Sequence, residues 1–205
     1  MIKPREFLCE SIGASNVINV PKNILNESIS KSPSGIITID TLLSTADEKN
    51  GNGRIYPFSV LQEAVKNYVD YGKTIELYGS LDHYDDAEVK WETVSHLIKD
   101  LWWKGNKLYG QLEILDFPEI PRGQLAGKIL KLGKRVGISS RSLGNTIQRG
   151  DDIIVESLDI IAYDLVTRPS NNGSILNNIQ ESIVSFDQKI EENNKIKSIF
   201  EKFLI

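Results

Sequence analysis

An α+β fold, with strands and a few interspersed helices around a closed or nearly closed sheet, is predicted for this chain on three observations. TIELYGSLDH, VSHLIKDLWW and KLYGQLEIL are successive β-like runs, and Lys104-Gly105-Asn106 between the last two is a tight turn joining antiparallel strands. Val60, Leu61, Ala64, Val65, Tyr68 and Val69 recur at helical spacing behind Pro57, which suits a first turn. Two further β-rich stretches, RVGISSRSL and DDIIVESLDIIAYDLVT, follow with short connections.

Taken in order, residues 1–34 mix Asn, Ser, Lys and Pro with isolated apolar residues and end in SKSPSG, so they form a peripheral N-terminal arm open to processing. GIITIDTLLST (Gly35 to Thr45) is β-rich, and ADEKNGNGRIYP is the loop leading to the helix just described. After the meander, Leu125, Ala126, Ile129 and Leu130 mark a short helix around Gln124 to Leu132. Pro169 closes the strand set, and residues 35–180 make up the domain. Residues 181–205 carry Phe186, Ile190, Ile196, Ile199, Phe200 and Phe203 among Lys, Glu and Asn, as an amphipathic helical tail also open to processing.

Composition narrows the function. With 205 residues, 40% hydrophobic and 25% charged, the chain fits one ordinary globular domain. No apolar run approaches the roughly 20 residues of a membrane-spanning helix, and MIKPREFLCE lacks the apolar stretch of a signal peptide, so a soluble intracellular protein is expected. One cysteine, Cys9, and two histidines provide neither an internal disulfide nor a structural zinc site, and no cofactor is implied. A net charge of −4 and a pI near 5.3 give no overall drive toward nucleic acid.

Ser, His and Asp make a hydrolase when the imidazole can take the serine proton and a carboxylate orients the ring. His83 ends a β-like run where it meets the polar loop HYDD; His96 lies inside VSHLIKDLWW. Either histidine has a bland alternative as a hydrogen-bonded structural residue. In GISSRSLG, alternation sets Val136, Ile138 and Ser140 on one face and Gly137, Ser139 and Arg141 on the other. If Val136 and Ile138 pack inward, Ser139 faces a cleft, which favours it over Ser140; a solvated, Ser-rich edge strand is the alternative. Trp102 and Trp103 read as packing residues, and Cys9 has no paired histidine block. The cluster Asp82, His83, Asp85, Asp86 and Glu88 would make His83 a metal ligand instead of a base, but it lacks EF-hand spacing.

NGRIYP, GSLDH, VSHLIKDLWWKGNKLYG, LGKRVGISSRSLG and DLVTRPS, in that order over about residues 50–170, resemble the prohead core protein proteases of tailed bacteriophages. The resemblance implies an assemblin-like β-barrel flanked by helices, with Ser139 as nucleophile, His83 as general base and no cofactor. It sets Asp164 as the orienting carboxylate, with Asp159 as rival and Asp82 as a third choice, while the amides of Ser140 and Arg141 are candidates for an oxyanion hole. Arg141 could instead anchor the loop by hydrogen bonding. It further implies a serine endopeptidase acting inside the assembling prohead in the bacterial cytoplasm. Its substrates would be scaffold or core proteins and the major capsid protein, cut after Glu in Leu/Ile-x-Glu contexts, with self-processing and self-association. A structural core protein that has lost activity is the alternative from another class.

Overall fold

The computed structural model describes residues 5–9, 37–132, 134, 136–167 and 175–176; most of the N-terminal arm and the whole expected tail helix lie outside these. Among the described residues two sheets and two helices form. The first sheet has the order β2 (Ile37–Thr45), β6 (Lys107–Ile114), β5 (Val94–Lys104), β4 (Leu77–Ser80), all antiparallel. Lys104 pairs with Lys107, so Gly105-Asn106 is a two-residue hairpin loop, and Gly105 takes the positive φ of +62° that such a turn needs at its first position. On β6, Leu108, Gly110, Leu112 and Ile114 are buried and alternate with half-buried residues, which fixes one face toward the core.

The second sheet is built on a long hairpin of β7 (Val136–Arg149) and β8 (Asp152–Val166). The strand read at RVGISSRSL thus runs six residues beyond Leu143. Its polar half, Gly144 to Arg149, is held by pairing with β8 and by the turn at Gly150, φ +61°, and not by any apolar signal of its own. The short β3 (Arg54–Ile55) joins β8 in parallel. The opposite edge of β7 receives β1 (Glu6–Cys9) and β9 (Ile175–Leu176). Glu6–Cys9, from the arm expected to be peripheral, is therefore part of the sheet, with Leu8 in the core.

Helix α1 (Phe58–Gly72) begins behind Pro57, and the Asp47 carboxylate accepts the Phe58 amide at 3.0 Å. Its apolar face, Leu61, Ala64, Val65 and Tyr68, is buried, and Tyr68 meets Tyr163 of β8 edge to face at 5.9 Å. Helix α2 (Pro121–Lys131) has Pro at its first position and buries Ala126 and Leu130, while Leu125 is exposed. The architecture is α+β, as expected. Among the described residues the ladders close no single barrel: they form two sheets, which touch at a parallel bridge between Leu81 and Leu165.

Candidate active site

Ser139 of β7 and Asp164 of β8 are direct cross-strand partners, so the ladder itself brings hydroxyl and carboxylate to one place. Arg141, two residues on from Ser139, lies on the same face of β7. The histidine arrives from the other sheet. Beyond β4, Leu81 bridges Leu165 and the Asp82 amide donates to the Leu165 carbonyl at 2.7 Å. Asp82 then takes a φ of +72°, in the left-handed region that Asp tolerates better than most residues, and the chain turns so that His83 lies over Asp164.

The result is a continuous hydrogen-bonded chain. His83 Nδ1 lies 2.8 Å from Asp164 Oδ2, and His83 Nε2 lies 3.2 Å from Ser139 Oγ. With the ionised carboxylate accepting from Nδ1–H, Nε2 is left as the acceptor for the serine hydroxyl. Asp164 is wholly buried, and burial alone would raise its pKa. Hydrogen bonds from His83 and Arg141, the guanidinium charge, and the Ser80 amide at 2.9 Å outweigh that and hold it below the usual carboxylate range.

Arg141 is the other buried ion. Its Nε donates to Asp164 Oδ2 at 2.8 Å, and Nη2 approaches Oδ1 at 3.4 Å. Its Nη1 donates to the Asp86 carbonyl and approaches those of Tyr84 at 3.4 Å and Glu88 at 3.3 Å. One guanidinium thus links the carboxylate to the loop that carries His83. Ser80, which sequence reasoning did not single out, contributes its backbone amide to Asp164 and its hydroxyl to Thr93 at 3.0 Å. A backbone donor leaves no mark on side-chain identity, so its place within GSLDH was the only available signal.

The remaining sequence candidates lie elsewhere. Asp159 pairs with Leu143, not Ser139, and its half-exposed carboxylate binds Arg5. Trp102 stacks on Tyr109, and Trp103 meets Phe58 edge-on at 4.9 Å. Asp86 forms an ion pair with Lys90, and among the described residues no three His, Cys, Asp or Glu side chains converge as metal ligands. One expectation needs correction: Ser139 does not line an open cleft but is 1% exposed. Both faces of β7 are covered here, because the His83 loop, clamped by Arg141, lies over the face that alternation assigned to solvent.

His96 is buried beside the site and satisfied. Its Nε2 donates to the Tyr163 carbonyl at 3.0 Å, and the Ser95 hydroxyl lies 2.9 Å from Nδ1. Gly79, opposite it on β4, leaves room for the ring, since a Cβ there would stand 2.3 Å from both Cε1 and Nε2. Burial holds the His96 pKa down at about 4, against the opposing pull of the Asp164 charge and the Tyr163 carbonyl. A histidine in the unfolded chain titrates near 6.5. Folding thus favours the neutral ring, and that contribution is complete above about pH 6.5 and is lost as the pH falls toward 4. It amounts to roughly 3 kcal/mol. His96→Gln, which cannot titrate, is expected to flatten the fall in the urea midpoint between pH 6.5 and 4 while retaining whatever activity the chain has; an unchanged slope would contradict the assignment.

A model of the prohead core protein serine proteases matches residues 11–183. The chain belongs to that family. The prohead core protein protease of Enterobacteria phage T4 is 33% identical over 136 residues, which are 64% of each chain, so a little under two thirds of that relative is spanned. The solved structure of the bacteriophage T4 capsid assembly protease, gp21, superposes with a TM-score of 0.66 at 25% identity, covering 80% of this chain and 99% of that one. Residues 83, 139, 141 and 164 of this prohead core protease family member all fall within the stretch that the family model matches.

Proposed function

We propose that this chain is a serine endopeptidase of the assembling phage head, with Ser139 as nucleophile, His83 as general base and Asp164 as the carboxylate that orients it. One observation carries the reading: the chain of contacts from Asp164 through His83 to Ser139, at 2.8 and 3.2 Å, inside a member of a protease family. As a substrate carbonyl approaches, Ser139 Oγ attacks its carbon while its proton passes to His83 Nε2. Asp164, kept ionised by Arg141, stabilises the imidazolium. The peptide C–N bond breaks, the leaving amine takes the proton from His83, and water hydrolyses the acyl ester by the reverse proton path. The amides of Ser140 and Arg141 are the proposed donors to the oxyanion.

The relatives' names, a prohead core protease and a capsid assembly protease, support scaffold or core proteins and the major capsid protein as substrates, met inside the prohead. Cleavage after Glu in Leu/Ile-x-Glu contexts belongs to the same proposal, as does trimming of the chain itself. Leu8-Cys9-Glu10, Leu25-Asn26-Glu27, Ile179-Gln180-Glu181, Ile190-Glu191-Glu192 and Ile199-Phe200-Glu201 are the available triplets near the termini, whereas Leu61-Gln62-Glu63 is locked in α1. An assemblin-like barrel is the corresponding fold proposal, favoured by the Leu81–Leu165 bridge between the sheets. A fluorophosphonate probe tests the chemistry. Covalent labelling at Ser139 that disappears in His83→Ala is the expected result; no labelling of the wild-type chain at any protein concentration would favour an inactive structural core protein.

A further inference from the structure

His83 is carried by the loop between Ser80, the last residue of β4, and Val94, the first of β5. Arg141 holds the middle of that loop, and Thr93 closes its foot. Lys90 to Thr93 is a turn in which the Thr93 amide donates to the Lys90 carbonyl at 2.9 Å, and the Thr93 hydroxyl donates to the same oxygen at 2.8 Å. A bulge in the β4–β5 ladder sets Ser80 against Val94, where regular pairing onward from Gly79 and His96 would set it against Ser95. That shift by one brings Thr93 abreast of Leu81, whose amide donates to the Thr93 carbonyl at 3.1 Å. Thr93 Oγ1 also lies 3.0 Å from Ser80 Oγ, and both residues are buried.

The hydroxyl protons settle the direction of that last bond. Thr93 has one and gives it to the Lys90 carbonyl, so Ser80 Oγ–H is the donor to Thr93 Oγ1. The Ser80 lone pairs are left for Arg141 Nη2, which approaches at 3.5 Å. A one-way chain of donors thus runs from Arg141 through Ser80 and Thr93 to the Lys90 carbonyl. Ser80 is also the residue whose amide donates to Asp164 Oδ1, and His83 follows it three residues later. Whatever fixes Ser80 fixes the point from which the chain carries His83 over Asp164.

We propose that Thr93 is a positioning residue for the hydrolysis: its hydroxyl, as acceptor from Ser80, ties the two ends of the loop together and holds His83 against Asp164 and Ser139. This rests on the protease assignment made above. Thr93 acts through Ser80 and Leu81, not by contact with the reacting atoms. Thr93→Val keeps the shape of the side chain but leaves the buried Ser80 hydroxyl without its acceptor, a penalty that moving the foot of the loop relieves. Displacing a general base by about 1 Å costs up to roughly 100-fold in rate.

The test is the kinetics of fluorophosphonate inactivation at Ser139 in the full chain, with proton NMR of the low-field His83 Nδ1–H resonance, assigned by its absence in His83→Ala. In Thr93→Val the inactivation rate at saturating probe is expected to fall about tenfold or more, while the half-saturating concentration stays within about twofold. Thr93→Ser, which restores the hydroxyl, is expected to return the rate to within about twofold of wild type, and the resonance should shift or broaden in the valine variant only. Ser80→Ala removes the donor but keeps the amide on Asp164, so it should show the same loss even if Thr93→Val folds poorly, and the double variant should lose no more than either. Thr93→Val inactivated at the wild-type rate, Thr93→Ser as slow as the valine variant, a slowed variant whose resonance is unmoved, or losses that multiply in the double variant would each overturn the proposal and leave the protease assignment standing. A wild-type chain that the probe does not label at any concentration overturns the protease assignment and this proposal with it.

Discussion

Ser139→Ala is expected to lower peptide-bond hydrolysis by about 10⁴- to 10⁶-fold, the range seen when the nucleophile of a serine triad is removed and only binding and oxyanion stabilisation remain. The cost in stability is small. The hydroxyl is buried, so its loss removes the contact to His83 Nε2, worth about 1 kcal/mol, and leaves a void of only one atom. The relevant measurements are kcat/KM on a scaffold-protein substrate and the urea midpoint, compared with Ser140→Ala. Ser140 lies on the opposite face of β7 from Asp164 and His83, and its replacement should keep most of the activity. Loss of activity in Ser140→Ala with retention in Ser139→Ala would reverse the assignment.

Arg141→Met is expected to be the most damaging single change to the fold, at about 3–5 kcal/mol, because it removes one partner of a fully buried ion pair and leaves the other uncompensated. Two consequences follow from the contacts. Without the guanidinium, burial dominates at Asp164, its pKa rises, and the carboxylate that should orient His83 becomes easier to protonate. The carbonyls of Tyr84, Asp86 and Glu88 also lose their shared donor, so the loop holding His83 loses its anchor. Activity should therefore fall even where the variant remains folded. Arg141→Lys keeps the charge but not the planar fork that reaches carboxylate and loop together, and it should be intermediate in both respects. A chain with methionine at this position, unfolding at the wild-type urea concentration with unchanged kcat, would show that the buried pair neither stabilises the fold nor positions the site.

Much of this protein was legible from local pattern. The hairpin at Gly105-Asn106 and helix α1 are written in turn residues and in spacing of 3.6, and both depend on neighbours a few positions away. His83 and Ser139 were singled out because they sit in sequence blocks that resemble a family, and the structure brings them within 3.2 Å; a histidine at His96 was equally available to composition, and the structure gives it a buried packing role. The peripheral place assigned to the N-terminal arm failed at Leu8, because a four-residue strand has no periodicity to detect and exists through its partner on β7.

What the sequence by itself determined is the set of chemical groups and the short-range elements that carry them. Which of Asp164 and Asp159 lies beside His83 belonged to the tertiary structure, and the reason is a matter of counting. The β7–β8 turn pairs Arg149 with Asp152, and a regular hairpin from that turn would set Ser139 against Ala162. Two irregularities, at Asn145/Thr146 and at Arg141/Ser142, each admit one extra residue on β8, and together they bring Asp164 opposite Ser139. Asp159 is left across from Leu143, four residues and roughly 13 Å along the strand. One irregularity alone would have put Tyr163 opposite the serine and turned the Asp164 carboxylate to the other face. Such bulges arise from how the sheet twists and packs over its full length, which no local run of residues encodes, and only the folded ladder sets the carboxylate beside the imidazole.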